Sequence, residues 1–269
     1  KTPRLAAAAL LLAILATGVL FAWWMAARAD REMRADLLQQ TRLVAQAVNL
    51  ERVRALSGTA ADLASPDYRR LKEQLAAVHA ATPQSRFLYL LGRKAGLPAA
   101  RLPERGQATA AQAGGAVFFF LNSEPAGAQD SSPPGQVYAE VPASSRRVFD
   151  AKAAAVAGPV TDRWGTWVSA LVPLTDPHTG AVVALLGMDT DARAWRWDVA
   201  ARAALPVGLM LVLLIGVAAA VVAARPVCRP PAGARAGDGT GRRVDASPTP
   251  VLRRLLPPLA VLVTLLMAG

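Results

Sequence analysis

Leu5 to Ala27 is an unbroken run of 23 residues without a charged side chain, longer than the roughly 20 that carry a helix across the hydrocarbon core of a bilayer. Trp23 and Trp24 stand near its end, where an interfacial aromatic belt falls. A secretory signal has a shorter apolar core, about 7–15 residues, before a small-residue cleavage site. Ala26-Ala27-Arg28-Ala29 imitates such a site, but the length favours an uncleaved anchor. Ala203 to Ala224, bracketed by Arg202 and Arg225, is a second charge-free run of 22 residues. Its Pro206 falls in the first turn, where a missing N–H costs little. Leu255 to Gly269 is a third apolar run of 15 residues, short of the usual span of about 17–25, and is expected to be the start of another spanning helix cut short.

Basic residues set the orientation. Lys1 and Arg4 precede the first run, and seven arginines lie between the second and third, so the flanks hold nine basic residues against Asp238 and Asp245. The 175 residues from Arg28 to Arg202 carry the other 21 basic and 17 acidic residues, a mixed surface. The excess of positive charge on the inner side of a membrane therefore predicts residues 1–4 as a cytoplasmic tail, 5–27 as transmembrane helix 1 and 28–202 as an outer domain. Residues 203–224 follow as transmembrane helix 2, 225–254 as a cytoplasmic basic linker able to lie on anionic lipid, and 255–269 as the truncated third helix.

The formal charge of +11 is thus mostly topological, and no basic stripe interleaved with aromatics suggests nucleic acid. With 53% hydrophobic residues, the chain is neither an ordinary cytosolic globule nor disordered. The single cysteine, Cys228, makes no internal bridge, and an idle reduced thiol is its expected state, ahead of palmitoylation or redox sensing.

Within the outer domain, Arg31 to Leu56 is helical and continues from the first run. Leu37, Thr41, Val44, Val48 and Ala55 recur at steps of three and four. Two readings stay open, a stalk pairing with a twin in a homodimer and a long helix packed on its own domain. Ser65-Pro66-Asp67 opens a second helix running to about Ala81. Arg86 to Leu91 and Val117 to Leu121 read as strands, with an aperiodic Ala/Gly/Pro/Gln-rich loop from Lys94 to Gly115 between them. A helix is expected over about Ser144 to Val156. A hairpin follows, with strands Thr166 to Leu174 and Ala181 to Asp189 joined by Thr175-Asp176-Pro177-His178-Thr179-Gly180. The order describes an α+β domain: an antiparallel sheet with helices on one face, a long N-terminal helix, and insertion between transmembrane helices.

Four segments carry a resemblance: Phe87-Leu88-Tyr89-Leu90, Val117-Phe118-Phe119-Phe120-Leu121, Asp162-Arg163-Trp164-Gly165-Thr166-Trp167-Val168-Ser169 and Gly187-Met188-Asp189-Thr190-Asp191. With the order of elements, they make residues 28 to 202 resemble the extracytoplasmic PAS-like (Cache-class) sensor domain of bacterial transmembrane receptors. Those receptors are membrane-bound sensor histidine kinases, diguanylate cyclases or chemoreceptors. Amino-acid-binding members place an arginine three residues before a tryptophan; here Arg163 is followed by Trp164 and, four residues on, by Trp167.

Strand alternation puts Trp167, Ser169 and Leu171 on one face, and the returning strand brings Asp189 near its start. Tyr89 can add a hydroxyl from the neighbouring strand. Aromatic walls with Trp164, an Arg163 guanidinium for a carboxylate and an Asp189 carboxylate for an ammonium group would suit a small polar or zwitterionic solute. The competing reading makes the tryptophans ordinary core and Arg163 part of a surface turn. His79 and His178 have no Cys or His partner at zinc-ligand spacing, and a solvated or capping role is expected for them. No nucleophile elbow, phosphate loop or acid/base pair is present, so neither a catalytic residue nor a cofactor is expected.

The chain is therefore expected to be the input part of a receptor in the bacterial inner membrane. Its domain 28–202 would be periplasmic and bind a small solute, and an output module beyond Gly269 would read the signal. By the resemblance that module is a histidine kinase first and a diguanylate cyclase second. A membrane-tethered binding or scaffold subunit without output, and a tethered enzyme, are the competing classes.

Overall fold

The computed structural model describes residues 2–94 and 115–223. The loop expected between Lys94 and Gly115, Cys228, the basic linker and the third apolar run lie outside the described residues. Helix α1 (Thr2–Ala47) is followed by a short α2 (Leu50–Arg54), a 3-10 turn (Ala60–Ala64) and α3 (Pro66–Ala81). Then come β1 (Phe87–Lys94), β2 (Ala116–Asn122), α4 (Ala143–Ala151), β3 (Ala155–Asp162), β4 (Gly165–Thr175), β5 (Val182–Asp191) and α5 (Ala192–Ala223). The fold is α+β: the strands form one antiparallel sheet in the order β2-β1-β5-β4-β3. α1 and α5 each contain a stretch long and apolar enough to cross a membrane, within Leu12–Ala47 and Ala192–Ala220.

Local chemistry explains the boundaries. Asn49 restarts the helix as α2, its side chain accepting from the Arg52 amide at 3.1 Å. Ser65 caps α3 through the Asp67 amide at 3.2 Å, with Pro66 in the first position. Asp191 accepts from the Arg193 and Ala194 amides at 2.8 and 2.9 Å, so the last residue of β5 is also the cap of α5 and no loop separates strand from helix.

The two faces of the sheet bury different things. Leu88, Leu90, Phe118, Phe120, Val168, Ala170, Leu186 and Met188 face α1, α2 and α3. From α1 come Met33, Leu37, Thr41 and Ala45, with Val48 just past its end, recurring at three- and four-residue steps. The open alternative for α1 is thereby decided: Leu37, Thr41 and Val48 are spent on their own domain, Val44 packs partly buried against the same core, and Ala55 is exposed.

The opposite face carries Phe87, Tyr89, Leu91, Phe119, Trp167, Leu171 and Leu185, packed against Val148 and Phe149 of α4 and against Tyr138 and Val141 of the segment that leads into it. The expectation of helices on one face only is corrected here, because α4 and residues 123–142 cover this second face. Residues 135–138 also pair back along β2, through Gly135 N to Phe119 O at 2.8 Å and Tyr138 N to Val117 O at 2.9 Å, which protects that sheet edge.

A second correction concerns β3. The expected helix over 144–156 ends at Ala151, where Lys152 adopts a left-handed conformation (φ 54°), and Ala155 begins a strand. Alanine favours helix in isolation. Pairing of Ala155 with Leu171 and Val156 with Ala170 on β4 overrides that preference.

Candidate functional site

Asp189 is the pivot of the second face. It sits on β5 between Phe87 of β1 and Ser169 of β4, its partners across the two ladders. Its carboxylate accepts from the Tyr89 hydroxyl at 3.1 Å, and Ser169 stands beside it across the β4–β5 ladder. Tyr89 reaches it because Gly187, opposite Tyr89 across the strands, has no side chain: a Cβ there would lie 2.2 Å from the ring. Asp189 is 5% exposed. Among the described residues no lysine or arginine pairs with it. Burial pushes its carboxyl up to about 7, helped by the nearby Asp162 charge and offset in part by the Ser169 and Tyr89 hydroxyls. The same burial, with Asp189 alongside, holds the Tyr89 phenol well above its ordinary range.

Asp189 and Tyr89 line a cavity whose other walls are Phe87, Phe119, Tyr138 and Trp164, with Asn122, Asp130, Ser132 and Asp162 completing the lining. The space between them is about 20 Å³, room for one water-sized group, and is open on one side. The walls interlock edge to face: Tyr89 on Phe119 at 5.8 Å, Phe119 on Trp164 at 5.8 Å and Tyr138 on Trp164 at 5.9 Å.

Asp162 organises the far wall. One oxygen accepts from the Trp164 and Gly165 amides at 3.0 and 3.1 Å and from Trp167 Nε1 at 2.9 Å; the other accepts from the Tyr138 hydroxyl at 2.7 Å. Asp162 thereby ties the β3–β4 turn to the covering segment. That segment is held at its other end by Arg86, which bonds Glu124 at 3.1 Å and Asp130 at 2.6 Å while lying 4.3 Å over the Phe87 ring.

Of the residues singled out from sequence, Tyr89, Trp164 and Asp189 line the cavity and Ser169 is the neighbour of Asp189 across the β4–β5 ladder. Trp167 is buried behind them, edge-on to Phe87 at 5.1 Å with its N–H on Asp162. Arg163 stands elsewhere: it lies over the outer face of Trp164 at 4.9 Å and donates to Glu140 at 2.5 and 3.1 Å, so its guanidinium is spent in an exposed ion pair. Phe87, Phe119, Tyr138 and Asp162 also form the site, although sequence reasoning gave them no site role. For Phe87 alternation with Tyr89 was an available signal; Phe119 lies on another strand whose register the sequence does not set, and Tyr138 lies in an aperiodic segment that offered none. His79 bonds the Ser123 hydroxyl at 2.6 Å, and His178 is an exposed turn residue.

No family model matches the chain, and no curated protein does. Among solved structures it is similar to the sensory domain of the Campylobacter jejuni chemoreceptor Tlp3 (CcmL), at 11% identity and a TM-score of 0.43, over 73% of this chain and 68% of that one. The Tlp3 ligand-binding domain in complex with L-valine matches at 11% identity and a TM-score of 0.41, over 72% and 66%. The same domain with 4-methylisoleucine matches at 11% and 0.40, over 71% and 64%. The chain spans about two thirds of the length of these structures.

Proposed function

We propose that residues 28–202 form the extracytoplasmic sensor domain of a receptor in the bacterial inner membrane, and that a small solute bearing an ammonium group binds against Asp189. The observation that carries this reading is the buried Asp189 carboxylate without a countercharge, set in an aromatic cavity. An isolated buried carboxylate costs several kcal/mol; a bound cation supplies the missing partner.

The same residue lies close to the joints between the sheet and the two apolar helices. Asp189 is two residues from Asp191, which caps α5, and the Asp189 carbonyl accepts from the Arg86 amide at 2.7 Å. At the start of α5, Trp195 Nε1 donates to Asp30 of α1 at 2.8 Å. Arg34 of α1 bonds both Asp30 at 2.7 Å and the Gly158 carbonyl of β3 at 3.2 Å. Sheet, α1 and α5 therefore meet in one hydrogen-bonded junction. A solute that shifts β5 biases this junction by its differential affinity for two arrangements, and a helix shift of about 1–2 Å suffices for signalling.

The output that reads the shift is a histidine kinase in the first reading and a diguanylate cyclase in the second. The receptor is taken to work as a homodimer, with the lipid bilayer as its second partner. Because the α1 seam is buried, pairing would use the opposite face, where Leu43 is 56% exposed.

A panel of amines, amino acids and carboxylates screened by thermal shift on the whole chain in lipid nanodiscs tests the site. At least one ammonium-bearing solute should raise the wild-type midpoint by several degrees and leave Asp189→Asn unmoved. Equal shifts in both proteins would remove Asp189 from the binding site.

A further inference from the structure

The geometry points to a ligand class for this pocket, an inference that rests on the Asp189 cavity being the sensing site: a small organic ammonium cation without a carboxylate, such as an alkylamine, rather than a zwitterionic amino acid. An amino acid carries its carboxylate one carbon from its ammonium group, so a site that seats the ammonium on Asp189 must hold a receptor for the carboxylate close by. This one holds none. The lining contains three aspartates, Asp130, Asp162 and Asp189, and no lysine, arginine or histidine.

Most of the neutral donors around the cavity are already committed. The Tyr89 hydroxyl donates to Asp189, while the Tyr138 hydroxyl, Trp167 Nε1 and the Trp164 and Gly165 amides all donate to Asp162. Of the two arginines that adjoin the site, Arg163 is bound to Glu140 and Arg86 to Glu124 and Asp130. A carboxylate entering here would meet the like charge of three aspartates in a partly desolvated space and no cationic side chain in the lining.

An ammonium group meets the reverse. Asp189 offers an uncompensated charge, and the rings of Phe87, Phe119, Tyr138 and Trp164 wall the space with aromatic surface, which tolerates a cation. The space, about 20 Å³ and open on one side, admits an ammonium head and leaves the alkyl chain at its mouth. A metal ion fits less well, because among the described residues no three His, Cys, Asp or Glu side chains converge on a point and aromatic walls offer no ligands to a hard cation.

Three probes of nearly equal size separate the classes: n-propylammonium chloride, L-alanine and sodium propionate, titrated calorimetrically into the full chain in nanodiscs at about pH 8, where Asp189 is ionised. Propylammonium should bind at least roughly tenfold more tightly than L-alanine, with no binding of propionate. Asp189→Asn, which keeps the shape of the site and one acceptor oxygen for the Tyr89 hydroxyl, should weaken propylammonium by roughly tenfold or more, and Arg163→Ala should leave it within about twofold. L-alanine binding as tightly as propylammonium, and losing affinity in Arg163→Ala, would overturn the ligand class while leaving the pocket as the sensing site. Absence of propylammonium binding would overturn the class in the same way. Propylammonium binding that is equal in wild type and Asp189→Asn would instead overturn the pocket itself. A retained thermal transition in each variant shows that lost affinity is not lost folding.

Discussion

At the scale of the residue, the cavity turns on the protonation of Asp189. Its carboxyl is held at about 7 in the folded protein against an ordinary 3.8, so the folded state binds the proton more tightly than the unfolded chain does. Folding stability therefore falls as pH rises from about 4 to about 7 and levels off above, a loss on the order of 4 kcal/mol. The groups that face it are Tyr89, Ser169 and Asp162, none of which brings a compensating positive charge. Asp62 and Glu140, whose carboxyls are lowered chiefly by hydrogen bonds from the Ser57–Thr59 loop and from Arg163 against opposing burial, act in a different window, losing their contribution only as pH falls below about 4. Thermal midpoints measured from pH 5 to 8 should decline in the wild type and stay nearly level in Asp189→Asn; parallel curves would show that Asp189 titrates normally.

Gly187 belongs to the same scale. A Cβ at this position would meet the Tyr89 ring at 2.2 Å, so Gly187→Ala should cost about 1–3 kcal/mol and weaken solute binding by moving the hydroxyl off Asp189. Unchanged stability and affinity would show that the ring can move aside freely. Alternation made the shared face of Trp167, Ser169 and Asp189 legible in the sequence, because a two-residue period fixes sides without knowledge of the fold. The direction of Arg163 was not legible: its partner Glu140 lies in a covering segment whose path depends on tertiary pairing along β2.

At the scale of the element, β5 and α5 form one continuous lever, and the junction of Asp30, Arg34 and Trp195 is where it bears on α1. Trp195→Phe keeps the ring's packing and removes the N–H to Asp30. It should cost about 1 kcal/mol, leave solute affinity unchanged and loosen the coupling between the helices; a loss of affinity equal to that of Asp189→Asn would place Trp195 in the binding site instead. The capping signals of α3 and the β4–β5 hairpin could be read from sequence because proline, Ser and turn chemistry act locally. β3 could not, since its alanines favour helix and only the ladder to β4 makes them a strand. The face of α1 was equally ambiguous, as a period of three to four identifies a buried stripe without saying whose core buries it.

At the scale of the whole molecule, two apolar helices enclose a domain of nearly balanced charge while the arginines gather beyond them. His178→Cys, in the exposed β4–β5 turn, should react with a membrane-impermeant maleimide in intact spheroplasts, and Cys228 should react only after permeabilisation. Labelling in the opposite order would invert the topology. The measurement that bears most directly on the central claim, that the cavity is coupled to both helices, is a spin-label distance between Ala35→Cys on α1 and Ala201→Cys on α5. It would be recorded in a Cys228→Ser background in nanodiscs, with and without the solute that gives the largest thermal shift. Solute should displace the mean distance by about 1–2 Å, and Asp189→Asn should abolish the displacement. A distance distribution unchanged at saturating solute would contradict the account and leave a tethered binding protein that transmits nothing.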